Sequence, residues 1–277
     1  MRRGFRALLI GSDSPIHSAG ADLRVFLERI EKGGSDALGG FIDMGHQTFK
    51  AVKYAPFPVV GAPAGLALGG GCEMLLHCDA IQAHAELSIG LVETRIGVVP
   101  GWGGCKEMLI RQSGLATSAT TGLSVPAIAA FNLIAPAKVS SSAFEARSLG
   151  FLRPTDGVTI NRERLLADAK QKALSLSDGY VAPKPPLLAL SGPSGASDLR
   201  NILKGAALSG RATAHDIVVG EALINVLSGG PDADPLKPMA EDDIIALERQ
   251  TFIALFETTA TVERVKHMLA TGKPLRN

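Results

Sequence analysis

Gly65-Leu-Ala-Leu-Gly-Gly-Gly-Cys-Glu73 is the stretch on which the reading of the fold turns. It follows Val59-Val60-Gly61-Ala62, a short apolar run that predicts a strand behind the breakers Pro56 and Pro58. It runs on into an apolar helical segment reaching about His77. Gly69, Gly70 and Gly71 therefore fall where a strand feeds a helix. The first N–H groups of a helix lack internal acceptors and carry the positive end of its dipole. Glycine lets a ligand oxygen reach such donors without meeting a β-carbon. A tight turn with no ligand is the other reading of the same three residues. A phosphate loop does not fit, because Gly71 is followed by Cys72-Glu73 rather than Lys and Ser or Thr. Nor is the G-x-G-x-x-G dinucleotide pattern met in a strand–turn–helix setting. An acid just beyond the glycines suits a neutral carbonyl that becomes negative during reaction.

Working outward, Glu73 sits in an apolar neighbourhood, where burial favours a carboxyl that titrates near neutrality and can act as acid or base. It also suits a first-turn acid on the helix dipole. Glu93 ends the strand-like Leu87–Val92 and precedes a second glycine-rich turn, Ile96-Gly-Val-Val-Pro-Gly-Trp-Gly-Gly104. It reads either as a second functional carboxyl or as a solvated strand end. Upstream, Arg6–Gly11 predicts a buried strand, 22–31 a helix, Gly33, Gly34, Gly39 and Gly40 a break, and Phe41–Tyr54 a second helix. Strands at 80–83 and 86–90 complete an α/β alternation. The second half is mainly helical. Asn161 caps an amphipathic stretch to about Leu176, breaker-rich linkers occupy 182–186 and 191–195, and helices follow at 197–209, 212–228, 240–257 and 260–270.

Composition narrows the classes. The 277 residues carry 28 Lys and Arg against 27 Asp and Glu, a balance of +1 that argues against a nucleic-acid partner. Hydrophobic residues at 46% and charged residues at 20% exclude disorder as the main state. Cys72, Cys78 and Cys105 are too few for a disulfide scaffold and lack metal-ligand spacing, so a reducing compartment and no metal are expected. Met1 to Ile10 mimics a signal peptide, but its apolar run falls short of the ~7–15 residues required. No apolar run approaches the ~20 residues of a membrane span, so a cytoplasmic protein is expected. Gly192-Pro-Ser-Gly195 is not a serine-hydrolase elbow, because Ala196 stands where the last glycine belongs.

Three motifs, in order, carry a family resemblance. His17-Ser-Ala-Gly-Ala-Asp22, Gly65–Glu73 with Cys78-Asp79, and Gly97-Val-Val-Pro-Gly-Trp-Gly-Gly104 closely resemble the crotonase (enoyl-CoA hydratase/isomerase) superfamily. Val139–Phe151 resembles the family's next helix and turn, and the ending resembles the hydratase region of fused 3-hydroxyacyl-CoA dehydrogenase proteins. The resemblance implies an α/β crotonase-like spiral core and an extended C-terminal helical region. The expected domains are 1–180 for the core and 181–277 for helices that oligomerise and cover the acyl site. Only five residues precede the segment resembling Arg6–Gly11, so the family's usual first strands are expected to be absent, in a fragment or with another element covering the sheet edge.

The resemblance further implies a thioester site that hydrates trans-2-enoyl-CoA in fatty-acid β-oxidation. Backbone N–H groups of Ala19 and Gly70 match the oxyanion donors, and Glu73 and Glu93 match the paired carboxyls, assigned as base and acid. Gly101 matches the glycine that helps place the water. His17, Ala19, Gly20, Ala21, Asp22, Gly69 and Gly70 fall in the substrate loops, and Arg24 is either a CoA-phosphate contact or a solvated helix arginine. No cofactor beyond the substrate's coenzyme A is implied. The expected partners are a homo-oligomer, trimer or hexamer, and a fused or associated dehydrogenase. A non-catalytic acyl-CoA-binding module and an enoyl-CoA isomerase are the alternatives.

Overall fold

Short β-branched and alanine-rich runs supply the sheet, and glycines set where it hands over to helices. The computed structural model describes residues 4–115 and 122–277, which leaves the signal-like Met1–Arg3 outside it. In chain order the first half holds β1 (Leu8–Gly11), α1 (Leu23–Lys53), β2 (Val59–Ala62), β3 (Leu66–Leu68), α2 (Gly70–Leu76), β4 (Ala80–His84) and β5 (Ser88–Gly90). A 3-10 turn (Glu93–Ile96), α3 (Gly104–Leu115), α4 (Val125–Ile134), α5 (Ala143–Ser148) and β6 (Gly157–Thr159) follow. The remainder is α6 (Leu165–Ser177), β7 (Leu187–Leu188), α7 (Gly192–Leu208), α8 (Ala214–Ser228), β8 (Met239–Ala240), α9 (Glu241–Phe256) and α10 (Thr259–Thr271). No helix among the described residues is long and apolar enough to cross a membrane.

The chain divides into two compact units that interleave in sequence: residues up to 21, 47–90 and 139–184 form the first, and 22–46, 91–138 and 185–277 the second. In the first unit a four-stranded parallel sheet runs in the order β1-β2-β4-β6. All four residues of β2 are buried, as expected of a central parallel strand covered on both faces. On one face Val60, Ala62 and Ala80 pack with Leu165, Ala169 and Ala173 of α6. The alanines at four-residue spacing let that helix lie close to the strands. The other face buries Ala55, Val59 and Cys78. Two aspartates tie strand ends to loops: Asp79 accepts the Val59 N–H at 2.8 Å and the Tyr180 hydroxyl at 2.8 Å. Asp156 accepts the N–H of Ile81 at 2.9 Å and of Arg153 at 2.6 Å. A separate parallel pair, β3 with β5, carries the glycine turn.

The second unit is helical around an aromatic cluster. Phe26 meets Phe41, Trp102, Phe252 and Phe256 with ring centroids 5.3, 6.0, 5.6 and 5.8 Å away. Beside it lies a buried charge group. Lys106 Nζ is 2.7 Å from Glu107 and 2.5 Å from Glu241, all three at most 2% exposed. Helix α8 opens with a full capping box, Thr213 and Asp216 each accepting the other's backbone N–H.

Several local expectations change: β1 is a half-exposed edge strand from Leu8 rather than a buried one from Arg6, and Asn161 caps a 3-10 turn (Arg162–Arg164) ahead of α6. The 33–40 glycine break narrows to Gly34 alone (φ 61°), and Gly39 and Gly40 lie inside the helix. At Gly39 a β-carbon would stand 2.4 Å from Arg249 Nη2, so this glycine makes room for a neighbour rather than ending a helix. Helix α7 starts at Gly192, not 197, because Pro193 occupies the first turn, where its missing N–H costs nothing.

Candidate active site

The first unit lays one loop against another. After β1 the chain turns and returns alongside β3, with a parallel bridge between Ser18 and Ala67. The N–H groups of His17 and Ser18 both reach the Leu66 carbonyl at 2.9 Å, and Leu68 donates to the Ser18 carbonyl at 3.0 Å. Ala19 is thereby fixed one residue past the bridge, and the Gly20 N–H folds back onto Ser18 Oγ at 3.2 Å. Across from it β3 leads into Gly69, whose backbone (φ 54°, ψ −127°) is one that only glycine adopts without strain. The Gly69 N–H is held by the Gly90 carbonyl at 3.0 Å, and its own carbonyl accepts the Glu73 N–H at 2.9 Å, closing the first turn of α2. A β-carbon on Gly71 would sit 2.3 Å from Ser18 Cβ, so glycine here is what lets the loop rest on the start of the helix.

The outcome is two backbone donors in adjacent loops. Neither the Ala19 nor the Gly70 N–H has a hydrogen-bond acceptor among the described residues. One helical turn further, Glu73 is 2% exposed. His77 Nδ1 donates to the Glu73 carbonyl at 2.7 Å, which assigns that tautomer, and its ring packs on Phe49. His17 has neither ring nitrogen hydrogen-bonded, and burial holds its pKa below the usual imidazole value. Thus His17, Ala19, Gly20, Ala21, Gly69, Gly70 and Glu73 belong to one unit, and the structure brings the two loops that carry them together.

Asp22, Arg24, Glu93 and Gly101 belong to the second unit. The Asp22 carboxylate accepts the Arg24 backbone N–H and Nε, each at 3.0 Å, so this arginine is tied to its own helix start. Those hydrogen bonds lower the Asp22 pKa and raise that of Arg24. Glu93 does not end a strand: β5 stops at Gly90, and Glu93 opens the 3-10 turn. Its two carboxylate oxygens are shielded from solvent. The turn is gripped from α10, where Thr261 Oγ1 donates to the Gly97 carbonyl at 2.8 Å and Arg264 Nη1 to the Thr94 carbonyl at 3.2 Å. Arg264, 2% exposed, is paired with Asp216 at 2.8 Å. At Gly101 a β-carbon would come 2.7 Å from the Phe252 ring, and His46 bonds to the Gly101 backbone. Glu248 of α9, fully buried, accepts the N–H of Gly103 at 2.8 Å and of Lys106 at 2.6 Å and so caps α3.

His46, Glu248 and Arg264 support these turns without belonging to a motif. One signal for Glu248 was readable: it shares a helical face with Ile244, Phe252 and Leu255, where a lone acid must find buried donors.

Two N–H groups without acceptors and a buried carboxyl thus gather at a strand-to-helix glycine turn, where the crotonase resemblance places them. Residues 2–129 match the enoyl-CoA hydratase/isomerase family model. The chain has the crotonase fold: it superposes on the enoyl-CoA hydratase of Bacillus halodurans with a TM-score of 0.59 at 20% identity, covering 95% of this chain and 82% of that one. In sequence it is 35% identical over 276 residues to a probable 3-hydroxyacyl-CoA dehydrogenase of Bacillus subtilis, covering 99% of this chain and 34% of the relative. A Rickettsia felis protein with the provisional name of a fatty acid oxidation complex trifunctional enzyme is 30% identical over 259 residues, covering 90% of this chain and 31% of its own length. The chain thus spans about a third of the length of these curated relatives.

Proposed function

We propose that this chain hydrates the double bond of a trans-2-enoyl-CoA thioester to give a 3-hydroxyacyl-CoA, a step of fatty-acid β-oxidation. The observation that carries the reading is the pair of unbonded N–H groups, Ala19 and Gly70, in loops held side by side, with Glu73 buried one turn on. Donors already fixed in place stabilise the enolate oxygen that forms when C3 is attacked, and they need no reorganisation to do so. Glu73 takes a proton from water as its oxygen bonds to C3. Glu93 delivers a proton to C2 as the enolate collapses. Gly101, buried against the Phe252 ring, is the residue whose backbone would help place the attacking water. Sequence similarity to the Rickettsia felis protein named for a fatty acid oxidation complex supports placing the step in that pathway. The reaction needs no cofactor beyond the substrate's own thioester, and a homo-oligomer that acts alongside a 3-hydroxyacyl-CoA dehydrogenase belongs to the same proposal.

The test is incubation with crotonyl-CoA, following loss of the conjugated thioester absorbance and identifying the product by mass. Gain of one water supports the reading. Binding of crotonyl-CoA without turnover makes the chain an acyl-CoA-binding module. Conversion of a 3-enoyl-CoA to its conjugated isomer, with no hydration, makes it an isomerase.

A further inference from the structure

Within the second unit a cleft of about 430 Å³ opens among α4, α7, α10 and the 3-10 turn at Glu93. It shares no lining residue with the proposed thioester site. Its floor is apolar, built on Phe131, Ile202, Leu203 and Leu275. Four arginines line it, Arg95, Arg211, Arg264 and Arg276, against one acid, Asp216. Arg264 and Asp216 neutralise each other at 2.8 Å. The other three have no carboxylate partner among the described residues. Glu263, the acid of α10, is not in the cleft lining and accepts from Asn277 Nδ2 at 3.3 Å.

Each of the three guanidinium groups is nonetheless held. Arg95 Nη2 donates to the Ala137 carbonyl at 3.2 Å, Arg276 Nη2 to the Arg211 carbonyl at 2.8 Å, and Arg211 Nε to Ser209 Oγ at 2.9 Å. One such bond uses one of five N–H donors, so most of the fork stays available. Ala137, in the wall of the same cleft, is the non-glycine residue at positive φ (53°) among those described. Three like charges converging on one cleft repel, and soluble surfaces normally intersperse both signs.

We infer that this cleft binds a phosphate-bearing ligand of nucleotide size, its phosphates on Arg95, Arg211 and Arg276 and its apolar or planar body on the Phe131–Leu203 floor. Arginine forks match phosphate oxygens in a bidentate way. Three uncompensated cations call for a multiply charged anion, and a fatty carboxylate, with a single charge, would leave two unanswered. The volume lies within the range of small-molecule sites, ~300–1,000 Å³.

The test is calorimetric titration of the full chain with ADP, and separately with adenosine and octanoate, at low ionic strength. The expected result is one ADP per chain, competition by inorganic phosphate, and weaker binding as salt rises. Arg211→Gln/Arg276→Gln should weaken ADP about a hundredfold, roughly tenfold per charged hydrogen-bonding group, with thermal unfolding unchanged. If that double variant does not fold, Arg95→Gln alone must weaken ADP about tenfold. ADP bound no tighter than adenosine, octanoate bound more tightly than ADP, or ADP affinity indifferent to the arginine substitutions would each overturn the assignment. Indifference would place the nucleotide elsewhere, at the thioester site included.

Discussion

His46 makes a sharp prediction about acid sensitivity. The residue is 9% exposed, one ring nitrogen bonds to the Gly101 backbone, and Nε2 has no hydrogen-bond partner. Protonation would place a new N–H and a full charge where no acceptor waits, so burial drives the pKa down from 6.5 to about 4. Lys106 pushes it the same way, while Asp43 opposes. The unfolded chain therefore binds this proton first. Its contribution is fully present above pH 6.5 and is lost as the pH falls towards 4. At about 1.4 kcal/mol per pH unit, the difference amounts to roughly 3 kcal/mol below the folded value and about 2 kcal/mol at pH 5. His46→Asn keeps an amide near the Gly101 bond and removes the titration. Urea unfolding followed by circular dichroism, on both proteins from pH 4.5 to 8, isolates the term. His17 and His215, whose pKa values are also lowered, cancel in the comparison. Wild type should lose stability relative to the variant on acidification. A gap that stays constant across that range, or that moves in wild type's favour at low pH, would refute the argument.

Other outcomes follow from single contacts. Gly71→Ala drives a β-carbon into Ser18 and should cut hydration at least a hundredfold by displacing the Ala19 loop, with partial rescue by Ser18→Gly in steady-state kinetics. Ala137→Gly should raise stability by about 1 kcal/mol in urea unfolding, since its φ of 53° is left-handed. Lys106→Met leaves Glu107 and Glu241 buried without their cation and should cost about 3–5 kcal/mol, read as a lower urea midpoint. Thr213→Ala removes a capping box and should cost about 1 kcal/mol by the same measurement.

The residues that define the candidate site were legible because their chemistry is local. A glycine at 69 that adopts φ 54° and an acid one helical turn later can be recognised within nine residues. The strand positions at 59–62 and 80–83 were readable for the same reason, as short apolar runs between breakers. Gly39 misled because a glycine needed for close approach looks, in sequence, like one that ends a helix. Pro193 misled because proline in a first turn looks like a linker. Glu248 and Arg264 act over separations of about 145 and 170 residues, on Gly103 and Thr94, which no local pattern encodes. His46 is silent for another reason: its significance is a missing partner, and only packing shows that.

The proposed hydration assigns a proton-transfer role to each of two carboxyls, Glu73 and Glu93. Turnover of crotonyl-CoA by Glu73→Gln, Glu93→Gln and the double variant tests it most directly, with folding checked by circular dichroism. Each single variant should lose kcat by about a thousandfold with KM little changed. The double variant should be scarcely worse than the poorer single, as for groups acting as a unit. Hydration that survives the double substitution near the wild-type rate would contradict the account.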